Sequence, residues 1–267
     1  MYNEVTMKKI IKNLFIIFAI AIIAVGCGKK QQPMDLYDSI QQRGKVVVGI
    51  QENVIPFSYK NSDGQYQGFE VDVAKQIAKA LLRDENAIEF IPVETSNRIS
   101  ILNSGRADMI IATMTITNGR KNILDFTDPY YFAGQTVMVH RNTGIKSISD
   151  LNGKRVGVSF GSTALDGIKS VAPGAIINGY KNEKMAISAL KANEIDAYAD
   201  DDTVLFGYTM NDVSVKMLQQ RYTQEPYGIA FRKGEESKRV LETANDVINI
   251  MKNNGTMNQL KAKWIKY

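Results

Sequence analysis

Apolar positions along the chain alternate between strand-like runs and helical spacing. The β-branched run "KVVVGI" (45–50), bounded by Gly44, is typical of a buried parallel strand. Apolar residues then recur at helical spacing and predict an amphipathic helix; they are Val71, Ala74, Ile77, Ala78 and Leu81. Further along, "IEFIPV" and "DMIIA" are predicted strands, and "RISILNSG" between them is a predicted helix that ends at Gly105.

A second set of the same kind begins about 100 residues after the first. The predicted strands are "KRVGVS", "AIINGY" and "DAYA", and the predicted helices are "TALDGIKSV" and "EKMAISALKAN". Strands interleaved with helices indicate parallel sheets with helices on both faces. The pattern therefore predicts an α/β protein with two similar lobes.

Two extended stretches, "GQTVMVHRNTGIKS" and "EPYGIAFRKG", lie at the ends of the second set. An amphipathic helix follows the later stretch, with apolar positions Val240, Ala244, Val247 and Ile248. If this last strand and helix return to the first lobe, two crossovers form a hinge beside a ligand cleft. We expect lobe 1 to comprise residues 44–139 and 227–267, and lobe 2 to comprise residues 140–226.

The amino-terminal segment predicts export. Basic residues near the start precede twelve apolar residues (14–25), too few for a membrane-spanning helix, so residues 1–26 are predicted to be a signal peptide. The ending "AVGC" resembles the bacterial lipobox, although Ala24 stands where Leu is preferred. We therefore expect lipid attachment at Cys27, with residues 27–43 forming a tether and the start of lobe 1. The protein is then anchored to the outer face of the cell membrane or faces the periplasm.

Composition restricts the chemistry of the mature chain. Its net charge is about +3 once the signal peptide is removed, too mild to indicate nucleic-acid binding. The only histidine is His140 and the only cysteine is Cys27, so triads and His/Cys metal sites lack partners. We expect no catalytic residues, no cofactor and no metal, and we expect His140 to be a surface or linker residue.

Hydroxyls and a guanidinium gather where the strand "DMIIA" ends, in "TMTITNGRKNILDFTDPYY". Thr113 and Thr115 should reach the carboxyl edge of the sheet, Thr117 should cap a short helix, and Arg120 should turn toward the cleft. A guanidinium fork with hydroxyls and free N–H groups suits a carboxylate. In an alternative, the guanidinium pairs with a carboxylate of the same segment and the threonines only cap; the carboxylates are Asp125 and Asp128.

That segment, with "GFEVDVAKQIAKAL" before it and "EPYGIAF" after it, resembles the polar amino-acid-binding proteins of bacterial ABC importers, solute-binding protein family 3. The resemblance covers the chain from Gly44 to Trp264. It implies a periplasmic-binding-protein-like fold of two Rossmann-like lobes with the ligand between them. It also implies a monomer that works with a membrane permease and an ATPase, and no enzymatic activity.

The resemblance assigns roles to particular side chains. The residues implied to hold the α-carboxylate are Thr113, Thr115, Arg120, Ser162 and Thr163. The last two belong to "VSFGSTA", which opens a helix whose N-terminus favours an anion. In "DAYADDDTVLFG" the match implies that Asp201 takes the α-ammonium group, while Asp200 and Asp202 are expected to face solvent or cap the next helix. A zwitterion between Arg120 and Asp201 would favour the closed cleft.

Side-chain specificity is less well indicated. Thr95 and Arg98 in "PVETSNRISIL" match positions that contact the side-chain carboxylate in acidic-amino-acid binders, and Gln51 replaces another basic residue. Val54 stands where several members place an aromatic residue, and Phe57 is expected in the core. The order of expected ligands is glutamate or aspartate, then glutamine or cystine.

Other functions on the same scaffold stay open from sequence alone. A few relatives of the family are periplasmic dehydratases, and those need a general acid or base near the cleft. A sensor domain or a cell-wall lytic enzyme would need further segments. A surface adhesin is a third alternative.

Overall fold

The computed structural model describes residues 35–210 and 212–266. The predicted signal peptide, the expected lipid attachment site at Cys27 and the first part of the predicted tether segment, residues 27–34, lie outside these residues. Across the described ranges, no helix is both long and apolar enough to cross a membrane.

The elements are numbered in chain order. The strands are β1 Val46–Ile50, β2 Asn53–Val54, β3 Ser58–Lys60, β4 Tyr66–Gln67, β5 Ile88–Pro92, β6 Met109–Ile110, β7 Leu124–Phe126, β8 Tyr131–Ala133, β9 Gln135–His140, β10 Arg155–Ser159, β11 Ile176–Tyr180, β12 Ala197–Asp201, β13 Val215–Met217, β14 Glu225–Tyr227 and β15 Ala230–Arg232. The α-helices are α1 Leu36–Arg43, α2 Phe69–Leu82, α3 Arg98–Asn103, α4 Asn118–Lys121, α5 Ala164–Val171, α6 Glu183–Lys191, α7 Asp202–Met210, α8 Lys238–Asn253 and α9 Thr256–Trp264. Short 3₁₀ helices span Ile148–Leu151 and Glu235–Ser237.

The first lobe is built on a sheet with strand order β5-β1-β6-β15-β7. β1 runs parallel to both β5 and β6, as its uninterrupted apolar sequence predicts. The apolar face predicted for α2 is buried in the same core as Phe57, which is fully buried. β15 and α8 return to this lobe, as predicted, because β15 pairs with β6 and β7 and α8 packs against α2.

The second lobe repeats the plan with strand order β11-β10-β12-β9-β13. β10 is parallel to β11 and β12, while β9 and β13 add antiparallel strands at one side. Helices α5 and α6 supply apolar faces to two separate core clusters of this lobe. The α/β class and the two-lobe periplasmic-binding-protein-like architecture are therefore confirmed.

The chain crosses between the lobes through a two-stranded antiparallel ribbon formed by β8 and β14. The predicted boundary at residue 139 is wrong for the strand that follows this ribbon. β9 (Gln135–His140) pairs with β12 over five residues and with β13 over three, so it belongs to the second sheet. The apolar pattern of β9 does not show which sheet it joins, because either sheet would bury it equally well.

Candidate functional site

Polar residues follow the carboxyl ends of the three parallel strands in each sheet. In the first lobe they are Gln51 after β1, Thr95 after β5, and Thr113 and Thr115 after β6. In the second lobe they are Ser162 and Thr163 after β10, Glu183 after β11, and Asp200 and Asp201 at the end of β12. Carboxyl ends of neighbouring parallel strands meet at one sheet edge, where open α/β folds bind ligands. The two edges face each other across the cleft.

One cavity brings together most of the predicted site residues. Its wall consists of Thr95, Arg98, Thr113, Thr115, Arg120, Ser162, Thr163, Asp200, Asp201 and Val204. Gln51 lines an adjacent cavity instead. A wider groove elsewhere on the first lobe carries charges of both signs, is open to solvent and shares no wall residue with these cavities. A few buried polar groups converging on one point are a better sign of a ligand site than volume alone.

Arg120 is placed by a one-turn helix. The Thr117 side chain accepts a hydrogen bond from the Arg120 N–H at 3.1 Å, which confirms the predicted cap at the start of α4. Arg120 is 9% exposed, and its Nη atoms donate to the carbonyl oxygens of Thr115 (2.6 Å) and Gly161 (2.7 Å). The second of these bonds crosses from one lobe to the other.

The alternative pairing of Arg120 with Asp125 or Asp128 is not observed. The carboxylate of Asp125 accepts a hydrogen bond from the Gly234 N–H at 2.9 Å. The guanidinium is therefore buried without a carboxylate partner among the described residues, and both of its hydrogen-bond acceptors there are neutral carbonyls.

The two threonines after β6 differ in what they offer a ligand. Thr113 has a φ of 45°, a strained backbone conformation for a β-branched residue, and its N–H donates to the buried Glu70 carboxylate at 2.7 Å. Its hydroxyl donates to Gln51 Oε1 at 2.8 Å. By contrast, the N–H and hydroxyl of Thr115 have no partner within the described residues. Thr115 therefore has two hydrogen-bond donors, its N–H and its hydroxyl, that are available to a ligand.

The turn that follows β10 in the second lobe offers a ligand a backbone donor, because the hydroxyls of this turn already have partners. The Ser162 hydroxyl donates to the Ser159 carbonyl at 2.7 Å. The Thr163 hydroxyl donates to Glu225 at 3.0 Å and accepts from Gln135 at 2.7 Å. The Thr163 N–H, at the start of α5, has no acceptor in the described ranges. A ligand anion would therefore meet the backbone N–H and the helix dipole.

Asp201 ends β12 inside the cleft and is 6% exposed. One carboxylate oxygen accepts a hydrogen bond from the Tyr227 hydroxyl at 2.6 Å, and the other accepts none from the described residues. Burial raises the pKa of Asp201 well above the ordinary value, and the nearby Asp200 and Glu225 carboxylates raise this pKa further. A cation placed beside the free oxygen would favour the ionised form.

Asp200 does not face solvent, contrary to the prediction. It is 6% exposed, and its carboxylate accepts hydrogen bonds from the Tyr198 hydroxyl and from the Asp201 N–H. Burial raises the pKa of Asp200 to about 7, and the charge of Glu183 is the next cause. Asp202 is the first residue of α7, and its carboxylate forms an ion pair with Arg221 at 2.8 Å.

The cleft therefore holds opposing charges on its two sides. Burial lowers the pKa of Arg120 to about 9, and the positive charge of Arg98 contributes in the same direction. Two buried cations belong to the first lobe, whereas the buried acids Asp200 and Asp201 belong to the second. A dipolar molecule with separate negative and positive ends matches this arrangement.

Glu183 is a cleft residue that the sequence analysis did not identify. It is the first residue of α6, capped by Asn182, and it lies 91% buried near the carboxyl end of β11. The Thr95 hydroxyl of the first lobe donates to its Oε1 at 2.6 Å. The detectable signal was its place after a predicted parallel strand, as for Thr113.

No group of three or more His, Cys, Asp or Glu residues in the described ranges is arranged to hold a metal ion. His140 lies in β9, with Nε2 at 2.7 Å from the Leu190 carbonyl oxygen, and it is not among the residues that line the cleft cavity.

Comparisons with known proteins identify the family of this chain. Residues 46–267 match the family model described as bacterial extracellular solute-binding proteins, family 3. The ABC transporter glutamine-binding protein GlnH of Bacillus subtilis is 35% identical over 97% of this chain and 98% of its own length. A glutamine-binding protein of Geobacillus stearothermophilus is 40% identical over 73% of this chain and 76% of its own length.

A solved structure shows the same fold. The ancestral amino acid-binding protein AncCDT-1, a precursor of cyclohexadienyl dehydratase, superposes with a TM-score of 0.76 at 36% identity. The alignment covers 86% of this chain and 99% of that structure. Fold, cleft chemistry and relatives lead to one conclusion: this chain belongs to family 3 of the bacterial extracellular solute-binding proteins.

Proposed function

We propose that this protein binds the free zwitterion of an amino acid between its lobes and presents it to the permease and ATPase of an ABC importer. The observation that carries the proposal is the pair of unmatched charges, Arg120 on one lobe and Asp201 on the other, in the wall of one cavity. Relatives of this chain are amino-acid-binding proteins of ABC transporters.

The α-carboxylate is assigned to the Arg120 side of the cavity. The guanidinium, the N–H and hydroxyl of Thr115 and the N–H of Thr163 supply the donors. Hydrogen bonds that involve a charged group contribute about 1.5–3 kcal/mol each. Three or four of them account for much of the roughly 8 kcal/mol that corresponds to micromolar affinity. The carbonyl bonds of Arg120 in the ligand-free protein compete with the ligand and reduce this gain.

The α-ammonium group is assigned to Asp201. Its free carboxylate oxygen accepts a hydrogen bond from the ligand while the other oxygen keeps the Tyr227 hydroxyl. Burial and the neighbouring acids raise the pKa of Asp201, and a bound ammonium group lowers this pKa toward its ordinary range. The zwitterion thus pairs its carboxylate with the Arg120 guanidinium of one lobe and its ammonium with the ionised form of Asp201 of the other.

Contacts between the lobes already favour the closed form. Besides the bond between Arg120 and Gly161, the Asn182 side chain donates to Glu94 at 2.9 Å, and Thr95 donates to Glu183. A ligand that bridges the lobes adds to these bonds only when the cleft is closed. Its differential contacts therefore shift the population toward the closed form.

Gly161 allows the lobes to approach, and this gives a first prediction. A Cβ at residue 161 would lie 2.6 Å from the Thr95 carbonyl oxygen of the opposite lobe. Gly161→Ala should therefore hold the cleft open and weaken amino-acid binding by at least about 10-fold, as roughly 1.4 kcal/mol of closure energy is lost. Isothermal titration calorimetry measures the change.

The matched control is Gly153→Ala. Gly153 has a similar φ of 75°, but a Cβ there meets no atom within 4 Å. Both variants place a Cβ at a similar positive φ, but only the Cβ at residue 161 meets an atom of the opposite lobe. Equal affinities in the two variants would show that closure at residue 161 does not matter for binding.

The amino-terminal features complete the proposal. We place the protein outside the cytoplasm, lipid-anchored through Cys27, so that the folded lobes can meet the permease. The relatives carry the names of amino-acid-binding proteins, which supports binding over the dehydratase alternative.

Titration with head-group analogues tests the proposal. Glutamine should bind with micromolar or tighter affinity, whereas N-acetylglutamine, which lacks the ammonium, and 4-aminobutanamide, which lacks the carboxylate, should bind at least about 100-fold more weakly. Prolonged incubation of glutamine with the protein should leave it unchanged. Failure of all twenty amino acids to bind, or equal affinity for the three compounds, would refute the proposed function.

Membership of the family does not fix the side chain of the ligand. Names of the relatives include glutamine, cystine, histidine and arginine as ligands. The expectation from sequence placed glutamate and aspartate first. We place glutamine first instead, because the buried carboxylate of Glu183 lines the cavity adjacent to the proposed head-group site.

A further inference from the structure

Two buried groups of opposite charge, Arg98 and Glu183, flank Thr95 in the cleft, away from the groups assigned to the ligand head-group. Arg98 comes from the first lobe and Glu183 from the second. Neither is used by the head-group, and nothing in the family assignment gives Glu183 a role. Their chemistry bears on which amino acid the proposed site accepts.

Glu183 offers an unused acceptor. Its Oε1 receives the Thr95 hydroxyl, while its Oε2 accepts no hydrogen bond from the described residues. It forms no ion pair with a described lysine or arginine. A carboxylate that is 91% buried and half satisfied is costly unless a further donor reaches it. A ligand that suits this site must therefore bring a hydrogen-bond donor to Glu183.

Arg98 offers unused donors. It is 3% exposed, and one Nη atom donates to the Ala112 carbonyl at 2.5 Å. Its Nε is buried with no acceptor, and its second Nη also has none in the described ranges. Burial lowers the pKa of Arg98, and among the acids that oppose this effect Glu183 is the strongest. The ligand must also bring a hydrogen-bond acceptor that lies between Arg98 and Glu183 and accepts from Arg98.

Space for a side chain continues past Thr95. The hydrogen bond between Thr95 and Glu183 joins a wall residue of the cleft cavity to a wall residue of the adjacent cavity. That adjacent cavity is lined in part by Gln51, Val54 and Tyr208. A ligand whose side chain separates Thr95 from Glu183 would occupy both cavities and could take over the Thr95 bond.

We propose that Arg98 and Glu183 select a neutral ligand side chain that ends in a primary carboxamide, as in glutamine, and reject both glutamate and cationic amino acids. The carboxamide oxygen accepts from Arg98 and its NH₂ group donates to Glu183. This inference rests on the proposed function, since the head-group contacts direct the side chain toward Thr95.

Charge explains the rejection in both directions. A glutamate side chain places a carboxylate oxygen against Glu183 where glutamine places its NH₂ group. Like charges at a few ångströms in a buried site repel strongly. An arginine or lysine side chain meets the Arg98 guanidinium in the same way. Sites built to satisfy a buried hydrogen-bonding group discriminate strongly against ligands that leave it unpaired. A carboxamide leaves neither partner unpaired.

The test compares side chains on an unchanged head-group. Wild-type protein, Glu183→Gln and Glu194→Gln are titrated calorimetrically with glutamine, glutamate, glutamate γ-methyl ester and arginine. Glu194 is exposed on the same lobe, so its variant makes the same charge change away from the cleft. Thermal melting verifies that each variant is folded.

Wild type should prefer glutamine over glutamate and over arginine by at least about 100-fold. The γ-methyl ester, which keeps the carbonyl oxygen but has no N–H, should also bind more weakly than glutamine. Glu183→Gln should reduce the preference for glutamine over glutamate by at least about 10-fold, because the repulsion is removed. Glu194→Gln should leave it unchanged.

Several results would overturn the inference without touching the proposed function. The inference is wrong if the wild-type protein binds glutamate or arginine as tightly as glutamine. This measurement does not depend on any variant. The inference is also wrong if the ratio of the affinities for glutamine and glutamate is equal in wild type and in folded Glu183→Gln. Absence of binding for every amino acid would instead refute the proposed function.

Discussion

Arg120→Ala is expected to weaken glutamine binding by at least about 100-fold while leaving the protein folded. The variant removes the only first-lobe cation assigned to the ligand carboxylate. Two hydrogen bonds from a charged donor contribute about 3–6 kcal/mol together, which corresponds to a factor of about 10² to 10⁴. Calorimetric titration of purified protein measures the loss.

The fold should tolerate this change because the guanidinium is poorly satisfied by its protein partners. Its acceptors are two neutral carbonyls, and burial lowers its pKa to about 9. Removal of a buried charge that lacks a carboxylate partner offsets the two lost hydrogen bonds. The midpoint of thermal unfolding should therefore shift by only a few degrees.

Lys121→Ala is the matched control for Arg120→Ala. Lys121 is the next residue of the same short helix, it carries the same charge, and its side chain is exposed. Its replacement should leave glutamine affinity within about twofold of wild type. Arg120→Ala protein that binds glutamine as tightly as Lys121→Ala would remove the basis for the carboxylate assignment.

Asp201→Asn should abolish the preference for a free α-amino group. The amide keeps an acceptor for the Tyr227 hydroxyl but loses the charge that faces the ligand ammonium. Affinity for glutamine should fall by at least about 30-fold, which corresponds to roughly 2 kcal/mol for a charged hydrogen bond. Affinity for N-acetylglutamine, already weak, should change little.

Thermal melting distinguishes the loss of ligand affinity in Asp201→Asn from misfolding. Because burial and neighbouring acids raise the pKa of Asp201, ionisation of this carboxyl is unfavourable in the cleft, and asparagine removes the ionisable group. The ligand-free variant should therefore melt at the wild-type temperature or above it. Asp166→Asn, an exposed position on α5, is the control and should behave as wild type. An unchanged ratio of affinities for glutamine and N-acetylglutamine in Asp201→Asn would contradict the ammonium assignment.

The sequence predicted the parts of the fold that depend on local pattern. The alternation of strands and helices, the cap at Thr117 and the buried face of α2 all follow from residue type and spacing. The return of β15 to the first lobe was also predicted. These features require only that apolar stripes be buried and helix ends be satisfied.

The parts that depend on distant partners were not predictable in the same way. Asp200 was expected in solvent, yet the Tyr198 hydroxyl and the Asp201 N–H satisfy its buried carboxylate. Glu183 meets the opposite lobe through the Thr95 hydroxyl, which is 88 residues away in sequence. No local pattern specifies which polar residue will face another lobe.

Hydrogen-bond geometry also refines the predicted carboxylate site. The hydroxyls of Thr113, Ser162 and Thr163 are engaged within the protein, so their residue type alone overstated what they offer a ligand. Thr115 and the backbone N–H of Thr163 keep free donors. Residue types indicate which groups are present, whereas partners in the fold decide which groups remain available.

A crystal structure of the protein with glutamine bound tests the central claim most directly. We expect the ligand carboxylate oxygens to lie within about 3 Å of the Arg120 guanidinium and the Thr115 N–H, and the ammonium nitrogen within about 3 Å of an Asp201 oxygen. A ligand bound outside the cleft, or one whose carboxylate and ammonium contact neither Arg120 nor Asp201, would contradict the account.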